Sequence, residues 1–430
     1  MLNEMLSGEE LIKAMENCPP YDESCRNKSR SERLVQLNDL YKVFLPSAMS
    51  TEIYSKLYLA TMRSLRKKKQ REVAAQQTNN FRRVKGQPYD GAGIIGGSDS
   101  FTIIGTPGIG KSTSIVRAMQ LISNGAFDMD DERRFTVVIP YIICQCPFDC
   151  SVKSLLLDIL RQVDMAIGSN YCEKAVKAHA TTDMLIGSVS QVAIHHVGLL
   201  VVDEIQNVVN HKYGKQLVGM LTQLINNSGI SICMVGTPEC EEFFESTAYL
   251  ARRTMGLKYG GCEYNDYFRQ FCNTLFSYQY VKKPAEISEG IRLWLYEHSK
   301  GVISVVVTLL HDAQEKAILE GVETLDQEIL EKTYEERLRM LHIYLYEKKE
   351  KRPEPVKKEL VTENDKVTAG KAQEIGKETG KAQEKSRTRK DARREKERDL
   401  ILQTAMTAKR KQEDIAEALK EVISVLEVEL

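Results

Sequence analysis

Residues 105 to 112 read Gly105, Thr106, Pro107, Gly108, Ile109, Gly110, Lys111 and Ser112, which satisfies the spacing G-x-x-x-x-G-K-[ST] in full. Each residue type in that run has a task in phosphate chemistry. Glycines let the backbone curl until its N–H groups converge on a β-phosphate, and the helix that follows aims its positive end at the same point. Lys111 is placed to neutralise β/γ charge and Ser112 to ligate Mg²⁺. The segment lies between an apolar run, FTIIG, and an amphipathic one, STSIVRAMQLIS, the strand and helix such a loop must join. Gly105 to Thr113 are therefore the expected contacts to ATP.

A second cluster closes the apolar run Leu199, Leu200, Val201, Val202 with Asp203 and Glu204. An acid at the tip of a buried strand is where a phosphate-bound Mg²⁺ needs one, so Asp203 is expected to hold the metal with Ser112. Glu204 can polarise an attacking water, a role a small-molecule kinase would leave empty. The bland alternative is a pair of acids capping the next segment, IQNVVN. The charge of Mg²⁺ favours the first reading, and with it hydrolysis of ATP to ADP and phosphate.

Two further positions are candidates. Thr237 follows the run ISICMVG, at the edge of the sheet where ligands bind in open α/β folds, so it senses the γ-phosphate, caps the helix beginning at Pro238, or does both. Arg252 and Arg253 lie beyond that helix; one of them acts in trans on a neighbour's phosphate, or the pair forms ordinary surface ion pairs.

These residues need a scaffold. From 101 to about 281 apolar, β-branched runs (FTIIG, TVVIPYIIC, GLLVVD, ISICMVG and a possible fifth, FSYQYV) alternate with helical segments. Runs without polar alternation predict strands buried on both faces, hence a mostly parallel sheet flanked by helices. The expected organisation is an N-terminal helical extension over 1–94, an α/β core over 95–284, an all-helical lid over 285–345 and a charged, disordered tail over 346–430. GKAQE occurs at 370–374 and again at 380–384, and residues 381–411 hold 12 Lys or Arg against 5 Asp or Glu. Ile415, Leu419, Val422 and Leu426 line one helical face, either a docking helix or a solvated one. A basic patch, Arg63 to Lys85, lies in the extension.

Composition excludes less than it permits. Lys plus Arg and Asp plus Glu both total 60 in 430 residues, so any nucleic-acid partner must be met by local patches. No run approaches the roughly 18 apolar residues of a membrane span, and the N-terminus lacks a secretory pattern. A cytoplasmic protein with reduced thiols is expected. Cys144, Cys146 and Cys150 lack zinc-knuckle spacing and read as small buried hydrophobes rather than metal ligands.

Taken together, GTPGIGKST, HHVGLLVVDEIQN, VGTPE, LARR, LFSYQY and SKGVISVVVTLLHDAQEKAILEG resemble the TnsC/TniB ATPases of transposons, over roughly residues 95 to 335. The resemblance implies an AAA+ regulator in the bacterial cytoplasm that forms ATP-dependent rings or helical filaments on double-stranded DNA. It also implies two protein partners, a target selector and a transposase. Lys111, Ser112, Asp203 and Glu204 fall on the family's Walker positions, Thr237 on its sensor, and Arg252 or Arg253 on its candidate finger. Lys153 and Ser151, in CPFDCSVKSLL, match a segment that meets DNA phosphate. One departure is the lid arginine of many AAA+ proteins: only Lys300 and Ser304 stand there, which suits hydrolysis used mainly as a disassembly signal. The rivals are an AAA+ loader or remodelling ATPase of another DNA-associated or secretion system, and a binding module with a silent nucleotide site, which Glu204 disfavours.

Overall fold

The computed structural model describes residues 2–68, 78–82, 84–85, 87–88, 100–129, 136–209, 211–245 and 256–338. Arg252, Arg253, the tail with its repeat and terminal apolar face, and part of the basic patch lie outside them.

Six strands form one sheet in the order β2-β3-β4-β5-β1-β6. They are β1 Phe101–Gly105, β2 Phe127–Met129, β3 Thr136–Gln145, β4 Val197–Asp203, β5 Ser231–Gly236 and β6 Leu257–Tyr259. Only β2 runs antiparallel to its neighbour, β3; the other pairings are parallel. This is an α/β fold with a mostly parallel sheet flanked by helices. Every residue of β1 and β5 is buried, as the apolar runs require.

Side chains alternate between two cores with the period of a strand. On β4, Leu200 and Val202 enter a cluster with the helices Val152–Ile167, Thr182–His196 and Gly214–Ser228. Leu199 and Val201 enter the opposite cluster, with the helices Ala48–Lys67 and Lys111–Ile122. The N-terminal segment is thus more than an appendage: Ile53, Tyr54 and Leu57 roof a sheet face that would otherwise meet water.

A third cluster joins Leu37, Leu40 and Leu45 to the helices Asp266–Ser277, Glu289–Ser299, Ile303–Glu320 and Gln327–Thr333. These four helices therefore pack on the N-terminal segment as well as on one another. FSYQYV is not a strand. Phe276 and Ser277 end a helix, and the buried backbone after them is satisfied by side chains instead of a ladder. Gln314 donates to the Tyr278 carbonyl at 3.0 Å and accepts from the Tyr280 N–H at 2.8 Å. Tyr21 and Arg26 donate to the Gln279 carbonyl, and Arg33 to that of Tyr280.

Candidate nucleotide site

The strand order explains how distant residues meet. The loop after β1 and the acids at the end of β4 flank the end of β5, so Thr237 falls between them. A cleft of about 300 Å³ is lined by Gly108, Lys111, Ser112, Asp203, Glu204, Gln206 and Thr237 among others. The structure brings together there Pro107, Gly108, Gly110, Lys111, Ser112, Thr113, Asp203, Glu204 and the sensor candidate Thr237, while Gly105, Thr106 and Ile109 do not line it.

Gly108 and Gly110 have φ of 82° and 95°, left-handed values that side chains resist. Gly105 is held by space: a Cβ there would lie 2.7 Å from the Tyr259 carbonyl. Ile109 is buried as the loop's anchor, while Pro107 and Gly108 face outward. Thr106 stays in register with β6 through a 3.2 Å bond from its N–H to the Tyr259 carbonyl.

Lys111 is 9% exposed and donates to the carbonyls of Gly105 at 2.6 Å and Thr106 at 3.0 Å. Burial lowers its pKa, against the pull of Asp203 and Glu204. An under-solvated cation beneath curled backbone suits a phosphate. The Ser112 hydroxyl donates to Asp203 Oδ2 at 2.8 Å, and Asp203 Oδ1 accepts the Glu204 N–H at 2.8 Å. A hydroxyl and a carboxylate side by side are the oxygen donors Mg²⁺ takes, so these residues fit the ion.

Glu204 has φ of 58°, which turns the chain into the short turn Ile205–Val208 and leaves its carboxylate exposed in the cleft. No helix of ordinary length follows for the acids to cap. The Thr237 hydroxyl makes no capping bond either. It is buried beside the Cys240 thiol, whose pKa burial pushes up to about 11, with no hydrogen-bond partner of ordinary geometry.

Sequence reading missed the other side of the loop. Thr113, Gly110 and Ile109 also border a pocket of about 190 Å³ walled by Tyr41, Leu45 and Met49 from the N-terminal segment, Tyr267 from the helix Asp266–Ser277, and Ile303 and Val307 from the helix Ile303–Glu320. Apolar walls with the hydroxyls of Ser47 and Thr308 suit a flat base attached to the phosphates. No motif marks these residues, which come from three distant segments. The lid touches the loop directly: the Ser304 N–H donates to the Gly108 carbonyl at 3.0 Å.

Ser151 and Lys153 lie away from this cleft. Ser151 caps the helix Val152–Ile167, accepting the Ser154 N–H at 3.2 Å, and Lys153 is exposed on its first turn. Phe148, in the strap before them, is 85% exposed. Cys144, Cys146 and Cys150 are buried thiols, and among the described residues no group of three His, Cys, Asp or Glu side chains is placed to hold a metal.

Fold and site define an AAA+ nucleotide-binding domain. Residues 96–244 match the family described as AAA domain. No curated protein matches the chain. Among solved structures it is similar to the Aeropyrum pernix ORC1 protein in complex with DNA, at 12% identity and a TM-score of 0.40, covering 61% of this chain and 64% of that one. The chain thus spans under two thirds of that relative. Drosophila ORC bound to DNA gives 14% identity and 0.40 over 78% and 70% of the two chains, and the ADP form of the A. pernix ORC2 protein 16% and 0.39 over 63% and 69%. Among the described residues no helix is long and apolar enough to cross a membrane.

Proposed function

We propose that this chain hydrolyses ATP, assembles with copies of itself on double-stranded DNA when ATP is bound, and links a target-selecting protein to a transposase in DNA transposition. The observation that carries the ATPase reading is Ser112 bonded to Asp203 at 2.8 Å with Glu204 beside it, across a cleft from Lys111. Mg²⁺, held by Ser112 and Asp203, would supply charge neutralisation for the phosphates. Lys111 and the loop N–H groups hold the β- and γ-phosphates, and Glu204 takes the proton from the attacking water.

The transposition reading draws its support from the run of motifs outside the Walker residues that resembles TnsC/TniB proteins. Exposed Lys153, shortly after an exposed aromatic, Phe148, in sequence, suits contact with phosphates and bases without sequence preference. Arg252 or Arg253 is the proposed residue by which one copy reaches the next copy's phosphate. Pelleting of the protein with plain duplex DNA in ATP, a slowly hydrolysed analogue or ADP tests the scheme. Assembly in the first two and not the third is expected; equal recovery in all three would sink ATP gating. Lys111→Ala is expected to abolish nucleotide binding, and Glu204→Gln to hold the ATP-bound assembly together.

A further inference from the structure

Gln206 stands two residues beyond Glu204 on the turn Ile205–Val208, and its amide faces both ways in the nucleotide cleft. The Nε2 group donates to Glu204 Oε2. A carboxylate only accepts, so the amide nitrogen must be the end facing Glu204 and the carbonyl oxygen the end facing away. That oxygen is buried and has no hydrogen-bond partner. Its position is fixed by β5: a Cβ on Gly236 would lie 3.3 Å from Gln206 Oε1, so the oxygen rests against the residue just before Thr237. Thr237 Oγ1, also buried at the cleft, has no hydrogen-bond partner of ordinary geometry and lies against the Cys240 thiol.

Buried polar atoms left unpaired are costly, and two lining one cleft mark a place for something that pairs them. The three groups supply complementary chemistry. Glu204 and Gln206 Oε1 accept; the Thr237 hydroxyl donates. A water molecule has two protons to give and lone pairs to receive with, and it needs two to four such partners.

We propose, on the ATPase reading above, that Gln206 is a positioning residue for the water that attacks ATP. Its Nε2 fixes the Glu204 carboxylate, and its Oε1 takes the hydrogen bond of the water's second proton, while Thr237 donates to the water oxygen. In the step itself that oxygen bonds to the γ-phosphorus. The bond from phosphorus to the β–γ bridging oxygen breaks with its electron pair left on ADP, and one water proton passes to Glu204. Gln206 gains and loses no proton. It sets the direction from which the water approaches, a contribution made in the transition state more than in nucleotide binding.

Steady-state ATPase rates and equilibrium binding of a fluorescent ATP analogue, measured on the full chain, test this with wild type, Lys111→Ala and Gln206→Leu. Gln206→Leu removes donor and acceptor at similar size. Its kcat is expected to fall on the order of 10²-fold, with KM and analogue affinity within about twofold of wild type. A fall of less than tenfold overturns the assignment. So does a parallel loss of analogue binding, which would mark a structural role. Should Gln206→Leu fail to fold, Gln206→Glu carries the same expectation, since it sets a second carboxylate against Glu204 in place of the donor. If wild type turns over no faster than Lys111→Ala, the ATPase reading falls and the water position with it.

Discussion

The side-chain amide of Asn207 donates to the Cys146 carbonyl at 2.8 Å, and the Cys150 thiol donates to the Asn207 carbonyl at 3.2 Å. With the bond from the Cys146 N–H to the Asp203 carbonyl at 2.8 Å, these contacts stitch the strap leading to Ser151 and Lys153 onto the turn after Glu204. A shift at the nucleotide site is therefore predicted to reach the surface proposed to meet DNA. Asn207→Ala leaves the Cys146 carbonyl without its side-chain donor, and is expected to cost about 1–3 kcal/mol of stability. Stimulation of ATP turnover by duplex DNA should fall toward the rate without DNA. An unchanged ratio of the two rates would show that the stitch carries no signal.

Gly108 is where the lid meets the phosphate loop. A Cβ there would lie 2.1 Å from Ser304 Oγ, and φ is 82°, so Gly108→Ala strains the backbone and pushes the lid helix away. Nucleotide affinity is expected to drop at least about tenfold, as the pocket between loop and lid opens. Adding Ser304→Gly removes the severest contact but leaves the strain and a 3.0 Å approach to Val302 Cγ1, so partial recovery of affinity is expected. Full recovery, or none, in a titration with ATP analogue would count against this division.

The Walker residues were readable because their chemistry is contiguous: a loop that wraps a phosphate must be written in consecutive residues. Strands β1, β3, β4 and β5 were readable because burial on both faces leaves an apolar run. The three-residue strands β2 and β6 are too short to show a period. FSYQYV misled for the opposite reason, since its apolar residues are buried as a strand's would be while Gln314, Arg33, Tyr21 and Arg26 replace the ladder. Tyr41, Tyr267 and Thr308 join one pocket only through tertiary packing, and Gln206 acquires a role only because β5 lies between β4 and β1. Nothing local encodes either arrangement.

Arg33 ties the N-terminal segment to the lid. It is 2% exposed and forms a two-pronged pair with Glu323, both bonds 2.7 Å, with a third bond to the Tyr280 carbonyl at 2.8 Å. The guanidinium holds the Glu323 carboxyl below the usual carboxylate range. Removing one partner strands the other, so Arg33→Met is expected to destabilise the fold by about 3–5 kcal/mol in urea unfolding. The double variant Arg33→Met, Glu323→Gln should lose less than the two single losses added. Simple additivity would mean that the pair is not coupled.

Lys68 gives the fold a dependence on alkaline pH. Its stem is half-buried and its ammonium enclosed, donating to the carbonyls of Ala193 at 2.7 Å and Ile194 at 2.9 Å where the helix Thr182–His196 ends. Burial pushes its pKa down to about 7, against the ordinary lysine value near 10.5. Below pH 7 folded and unfolded chains are both protonated there, and the cost of burying the charge is present in full. Between about 7 and 10.5 the unfolded chain binds a proton the folded one has released, so this group makes stability rise with pH across that window. One proton gives a slope of at most about 1.4 kcal/mol per pH unit. Lys68→Met also uncaps two carbonyls, so the slope and not the stability at one pH is diagnostic. Urea unfolding at pH 7, 8 and 9 should show wild type gaining on the variant at each step, and parallel curves would place the ammonium in contact with solvent.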